Sequence, residues 1–246
     1  MPSIYLSPSL QEYNLYVGGG SEEYYMNLIA DAMEPYLRAS GIQFTRNRPD
    51  QTLSQVIAES NAGNYDLHLA LHSNAAPPSL AGRLQGTDVY YYPQSSQGRR
   101  AAEIIAENFK VIYPDPDLVK TVSTTSLAEV VRVRAPSVLV EIAYHDNIDD
   151  ANWIRNNIDR IARTLVLSLT EFFGIPFQSP QPVLNGTVVT QSSPLNIRSR
   201  PNDGAPVIGQ IPNGARVAVN GDFQGWYGVN YNGIEGYASG RYIRLD

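Results

Sequence analysis

Asp66-Leu67-His68-Leu69-Ala70-Leu71-His72-Ser73-Asn74-Ala75-Ala76-Pro77 is an apolar-biased run that ends on a histidine and passes straight into a small polar loop. Its length and alternation predict a strand over residues 66–72. In open α/β sheets ligands gather beyond the carboxyl ends of the strands, so His72 is placed to face a crevice. A second stretch has the same form: Pro136-Ser137-Val138-Leu139-Val140-Glu141-Ile142-Ala143-Tyr144-His145-Asp146-Asn147 sets a carboxylate near the end of a Val/Leu-rich strand. Burying Glu141 there without a partner is costly, which predicts a raised pKa and a general base.

Around these two strands, residues 1–174 alternate short strands with longer helical stretches. Strands are expected at 4–6, 42–45, 66–72, 87–92 and 138–142. Helices are expected from a Ser21 cap to Gly41, over 52–60 and 97–111, and as one long helix over 149–173. Pro35 predicts a kink or an early end in the first helix. The fold class that follows is α/β, a mostly parallel twisted sheet covered by helices. Gly174 to Pro182 then reads as a stiff linker, residues 175–183. Beyond it short strands are split by Asn202-Asp203-Gly204, Asn213-Gly214, Asn220-Gly221 and Asn232-Gly233, the signature of a small all-β barrel over 184–246.

Composition narrows the function. The chain has 246 residues, no cysteine and a net charge of −6. Disulfides, thiolate metal sites and a cysteine nucleophile are excluded, and nucleic acid is not an expected partner because its binding needs a basic surface. Residues 184–246 carry a charge of about +1, leaving the first part near −7. No apolar run reaches the length of a membrane span, so no membrane partner is expected, and Met1-Pro2-Ser3-Ile4-Tyr5 enters a strand with no room for a signal peptide.

Only His68, His72 and His145 can supply imidazole. His68 and His72 share a strand face but lie roughly 13 Å apart at about 3.3 Å per residue, too far to share a metal. His68 is therefore expected to be an interior, hydrogen-bonded residue. Glu22 and Glu23 fall in a first helical turn, where acidic residues complement the helix dipole. Ser73 points away from His72, and no serine triad, HExxH, P-loop or GxGxxG pattern competes. A metal held by two or three N/O ligands beside a free carboxylate is the hydrolytic set that these residues offer.

Over residues 3–174, Leu71-His72-Ser73-Asn74-Ala75, the Ala135–Tyr144 strand and Glu23 ahead of Asn27-Leu28 resemble the zinc-dependent N-acetylmuramoyl-L-alanine amidases of the type 3 family. The resemblance implies Zn2+ held by Glu23 and His72, Glu141 as catalytic base, Asn74 shaping the substrate loop, and cleavage of the amide between the lactyl group of N-acetylmuramic acid and L-alanine. That family's first strand ends in a histidine, whereas Leu6-Ser7-Pro8-Ser9-Leu10-Gln11-Glu12-Tyr13-Asn14 has none. The third ligand is expected from His145, with Gln11 or Glu12 as alternatives. Residues 184–246, with Leu195–Pro201, Ile211–Gly214, Trp226–Val229 and Gly236–Ala238, are similar to bacterial SH3-like domains. That likeness implies wall binding, with Trp226, Tyr227 and Tyr237 as stacking surfaces or as barrel core. Peptidoglycan is thus the expected partner of a monomer acting outside the cell or at the wall. A non-catalytic wall binder and a zinc peptidase cutting the stem peptide are the competing expectations.

Overall fold

The computed structural model describes residues 1–180, 184–199, 203–223 and 225–246, and falls into two compact units, residues 1–37 with 42–177 and residues 38–41 with 178–246. Residues 181–183 of the expected linker, Arg200 and Pro201 of the SH3-like stretch, and Asn202 of one expected turn lie outside the described residues.

The first unit is built from β1 (Ser3–Pro8), α1 (Glu22–Ala39), β2 (Gln43–Arg46), α2 (Leu53–Ala62), β3 (Leu67–Asn74), β4 (Thr87–Tyr91), α3 (Ser96–Ile112), β5 (Val119–Ser123), α4 (Ala128–Val131), β6 (Ser137–Tyr144), α5 (Ile148–Asn156) and α6 (Ile158–Phe173). The six strands form one sheet in the order β2-β1-β3-β6-β4-β5. Neighbours β2, β1, β3 and β6 run parallel, while β4 pairs antiparallel with β6 and parallel with β5. The sheet is therefore mixed. Residues 75–86 between β3 and β4 contain only a three-residue 3₁₀ turn, Pro78–Leu80. Without a crossover helix the chain stays at the end where β3 finished and must run back.

Alternation sorts the two faces. Leu67, Leu69 and Leu71 of β3 and Val138, Val140 and Ile142 of β6 enter the main core with Met26, Ile29, Met33 and Leu37 of α1 and with Phe109 and Leu165 of the helices. The opposite face carries Ala70 and Leu139, covered by Val130 of α4. His68, His72 and Glu141 fall on this second face, in the same alternation as Ala70 and Leu139.

Side-chain caps start α2, α3 and α5. Thr52 and Gln55 form a capping box on α2, Ser95 caps α3, and the Asn147 side chain accepts the amides of Asp149 and Asp150 to start α5. The expected single helix over 149–173 is two, α5 and α6, broken at Asn157, whose φ of −129° departs from helix. Pro35 does not end α1, which continues to Ala39. Met33 and Leu37 are fully buried on either side of it, and that packing offsets the roughly 3 kcal/mol cost of a helical proline. Among the described residues no helix is long and apolar enough to cross a membrane.

The second unit is one seven-stranded sheet in the order β13-β7-β10-β11-β12-β8-β9, from β7 (Leu184–Val188), β8 (Leu195–Arg198), β9 (Val207–Ile211), β10 (Arg216–Phe223), β11 (Trp226–Tyr231), β12 (Ile234–Ser239) and β13 (Ile243–Leu245). All its pairings are antiparallel. Val188, Ile197, Ile211, Val217, Val229 and Ala238 form its core. Asn232, at φ 52°, and Gly233 make the turn expected there. Asn220-Gly221, expected as a turn, instead lies inside β10, where the register shifts between Val219 and Asp222. The extra backbone is absorbed as a bulge.

Candidate active site

Strands β3 and β6 are paired so that His72 is the direct register partner of Glu141, and Glu141 in turn is the partner of Asp88 on β4. The parallel ends of β1, β3 and β6 converge here, the position where an open sheet leaves a crevice. Over it lies the loop of residues 9–21, tied down by Ser9 N–H to the Leu71 carbonyl (2.9 Å), Val17 N–H to the His145 carbonyl (3.0 Å) and Arg155 Nη2 to the carbonyls of Val17 and Gly19 (2.6 and 2.8 Å). Gly18, Gly19 and Gly20 all have positive φ, and a Cβ on Gly20 would stand 2.5 Å from the Tyr25 ring. Glycine is required there for the loop to turn into α1.

The carboxylate that this turn delivers is Glu22, not Glu23. Glu22 is 1% exposed and its Oε1 accepts from His72 Nδ1 at 2.8 Å. Asn14 Nδ2 donates to its other oxygen at 2.7 Å. Glu23, the expected metal ligand, is half-buried one position round the helix and takes the Asn27 side-chain amide at 3.0 Å. The helical phase accounts for the exchange: Glu22 is four and seven residues ahead of the buried Met26 and Ile29, so it shares their inward face.

His145, the expected third ligand, is not brought to His72. Its Nδ1 donates to the Ser73 carbonyl (2.9 Å) and its ring stacks on Tyr16 at 5.4 Å, so it fastens the end of β6 to β3. The side chain that does approach is Gln11, whose carboxamide lies 3.2 Å from His72 Nδ1 and 3.4 Å from Glu22 Oε1. Among the described residues no three His, Cys, Asp or Glu side chains form a metal-holding group. An imidazole, a carboxylate and a carboxamide do share one point. Asn74 caps its own loop, accepting the Ala75 amide at 2.9 Å and reaching Asp88 at 3.4 Å.

Two further residues complete the site: Glu129, unmarked in the sequence, and His68, expected there as an interior, hydrogen-bonded residue. Glu129 of α4, 7% exposed, stands 3.3 Å from His72 Nε2 and 3.2 Å from His68 Nε2. His68 itself is fully buried, with Ser60 Oγ at 2.9 Å from its Nδ1. The signal for Glu129 was present: Ala128-Glu129-Val130-Val131 sets a carboxylate among apolar residues just as Val140-Glu141-Ile142 does.

Electrostatics follow from this packing. Burial pushes Glu141 up to about 7, with Glu22 and Asp88 adding to the effect and His72 opposing it. Its Oε2 is sealed from solvent and has no hydrogen-bond partner among the described residues. Burial alone would lower His72, but Glu129 and Glu22 on its two nitrogens outweigh that and hold it well above its ordinary value. Burial would raise Glu22 and Glu129, yet the bonds to the histidines leave both below theirs. The contributions of Glu22, Glu129 and His72 to the metal-free protein are therefore all present between the ordinary carboxylate value of 4.5 and the ordinary imidazole value of 6.5, while Glu141, raised to about 7, takes stability away as pH climbs through that range. Below that window Glu22 and Glu129 protonate and their contribution is lost; above it His72 deprotonates and its contribution is lost. Melting temperatures measured against pH with a chelator present should fall on the alkaline side, and a rise from pH 6.5 to 9 would contradict this assignment of charges.

In the second unit Tyr227, partly buried against the core, lines a surface hollow together with Trp226, the exposed Tyr242, Arg241, Ser239 and Asp203. Tyr237 is buried. Of the expected stacking residues, Trp226 and Tyr227 both line this hollow.

Comparison with known proteins gives a consistent picture. The family model described as N-acetylmuramoyl-L-alanine amidase matches residues 13–171, and the model described as bacterial SH3 domain matches residues 193–244. The N-acetylmuramoyl-L-alanine amidase LytC of Bacillus subtilis (strain 168) is 28% identical over 157 residues, covering 61% of this chain and 31% of LytC, so the match spans under a third of that protein. Among solved structures, the N-acetylmuramoyl-L-alanine amidase AmiC2 of Nostoc punctiforme superposes with a TM-score of 0.61 at 17% identity, over 70% of this chain and 97% of that one. The catalytic domain of CwlV, an amidase of the same name from Bacillus (Paenibacillus) polymyxa var. colistinus, gives 0.60 at 15% identity, over 72% and 100%. At such identities the structures speak for the fold alone; the family model, matched over more than half of the residues, places this chain in the N-acetylmuramoyl-L-alanine amidase family, with a bacterial SH3 domain at its carboxyl end.

Proposed function

We propose that this chain hydrolyses the amide joining the lactyl group of N-acetylmuramic acid to the L-alanine of the peptidoglycan stem peptide, with Zn2+ held by His72, Glu22 and Gln11. The observation that carries the reading is the register pairing of His72 with Glu141, a carboxylate with one unpartnered buried oxygen, beneath Glu22 and Gln11. The donor set fits zinc: imidazole nitrogen and carboxylate oxygen are ordinary ligands, and a half-turn of the Gln11 carboxamide presents a third oxygen. When bound, zinc supplies Lewis acidity toward the amide carbonyl and the attacking water.

Glu141 supplies the proton chemistry. Raised to about 7, its carboxylate takes a proton from the water that attacks the lactyl carbonyl carbon. As the carbon–nitrogen bond breaks, Glu141 returns that proton to the departing L-alanine nitrogen. Asn74, held to Asp88, shapes the loop on the substrate side of β3. Trp226 is the wall-stacking residue of the SH3 domain, so the protein works at the cell wall. Incubation of the zinc-supplemented full chain with purified peptidoglycan should release L-alanine amino termini and leave intact lactyl groups on the glycan, read by end-group labelling and mass spectrometry. New termini at another residue would replace this reading with a peptidase; no new termini would replace it with a wall binder.

A further inference from the structure

Behind the zinc-facing side chains lies a polar chain inside the protein. Ser60 Oγ is 2.9 Å from His68 Nδ1, His68 Nε2 is 3.2 Å from Glu129 Oε1, and Glu129 Oε2 is 3.3 Å from His72 Nε2. Ser7 Oγ also donates to Glu129 Oε1. Every member is buried: Ser7, Ser60, His68 and Glu129 are 7% exposed or less. The segment carrying Glu129 is fixed in turn, because Val130 packs on Ala70 and Leu139, and its carbonyl accepts from Ser137 Oγ at 2.8 Å. A carboxylate gripped from three sides cannot swing, and among the described residues it is the one hydrogen-bond partner of His72 Nε2.

We infer that Glu129 is the positioning residue of the zinc site: by accepting the Nε2–H of His72 it fixes the ring with Nδ1 turned toward Glu22 and Gln11, while His68 and Ser7 hold Glu129 in place. The inference rests on the zinc reading above. An outer carboxylate of this kind sets the tautomer and raises the basicity of the ligating nitrogen, and its loss typically costs 10- to 100-fold in metal affinity. A network serving only to satisfy buried polar groups would affect melting and leave zinc affinity where it was.

Zinc affinity is measured by competition with a chromophoric chelator on the full chain. Glu129→Met, of similar volume but without an acceptor, should bind zinc about 10- to 100-fold more weakly, and Glu129→Gln, which keeps an acceptor oxygen, should recover most of that loss. A Glu129→Met affinity within about threefold of the parent overturns the inference while leaving the zinc reading intact; a parent that takes up no zinc overturns both. The parent alone gives a second readout. With only three histidines to label, nitrogen NMR of the zinc-loaded protein should show His72 carrying its proton on Nε2 and metal on Nδ1. Metal on Nε2 would overturn the positioning role even if the variant does not fold.

Discussion

Glu141→Gln is expected to lower the rate of amide cleavage by about 10²–10⁴-fold, the usual contribution of a positioned general base, while leaving zinc affinity and fold in place. The substitution preserves shape and removes the group proposed to take the water's proton. Glu141 is the register partner of His72, so no other carboxylate occupies its place on β6. Glu22 and Glu129 are both committed to His72 and held below their ordinary values, which makes them poor proton acceptors. In the parent, kcat/KM should climb with pH as Glu141 ionises, and the variant should lose that limb. The same side chain burdens stability, because its folded value of about 7 means that an ionised, desolvated carboxylate is retained above neutrality. Glu141→Gln should therefore melt no earlier than the parent at pH 8. A variant keeping a third or more of parental activity would remove Glu141 from the reaction.

His72→Ala is expected to abolish stoichiometric zinc binding and to lower activity by about 10³-fold or more, since it removes both a ligand and the link between Glu22 and Glu129. It should also cost the metal-free protein about 3–5 kcal/mol at neutral pH, because two buried carboxylates lose their shared partner at once. Zinc content by elemental analysis and melting with a chelator present separate the two effects. His145→Ala is the contrast. Its contacts are Ser73 and Tyr16, so it should melt earlier and keep its zinc. Zinc lost with His145 and kept with His72 removed would reverse the assignment of the ligands.

Much of this site was legible in the sequence, and the failures have definite physical causes. His72 and Glu141 stood out because each interrupts an apolar strand near its carboxyl end, where strand periodicity fixes the face and burial makes the polar residue conspicuous. Glu22 and Glu23 were separable by helical phase against Met26 and Ile29, but first-turn dipole preference treats them alike. Gln11 stood only as an alternative to His145, since a neutral amide in a loop carries no periodicity and no buried charge to favour it; the fold of residues 9–21 over β3 brings it to His72. His145 misled because its distance from Glu141 in sequence suits one strand face, whereas β6 ends at Tyr144 and the chain turns there. The antiparallel run of β4 followed from a missing crossover helix, a property of connection length rather than of the strand itself.

The most direct measurement is a crystal structure of the zinc-soaked protein with diffraction recorded on both sides of the zinc absorption edge. The expected result is a single anomalous peak bonded to His72 Nδ1, Glu22 and Gln11, with Glu141 across from it on β6 and Glu129 still on Nε2. A peak at His145, or none beside His72, would contradict the proposed site.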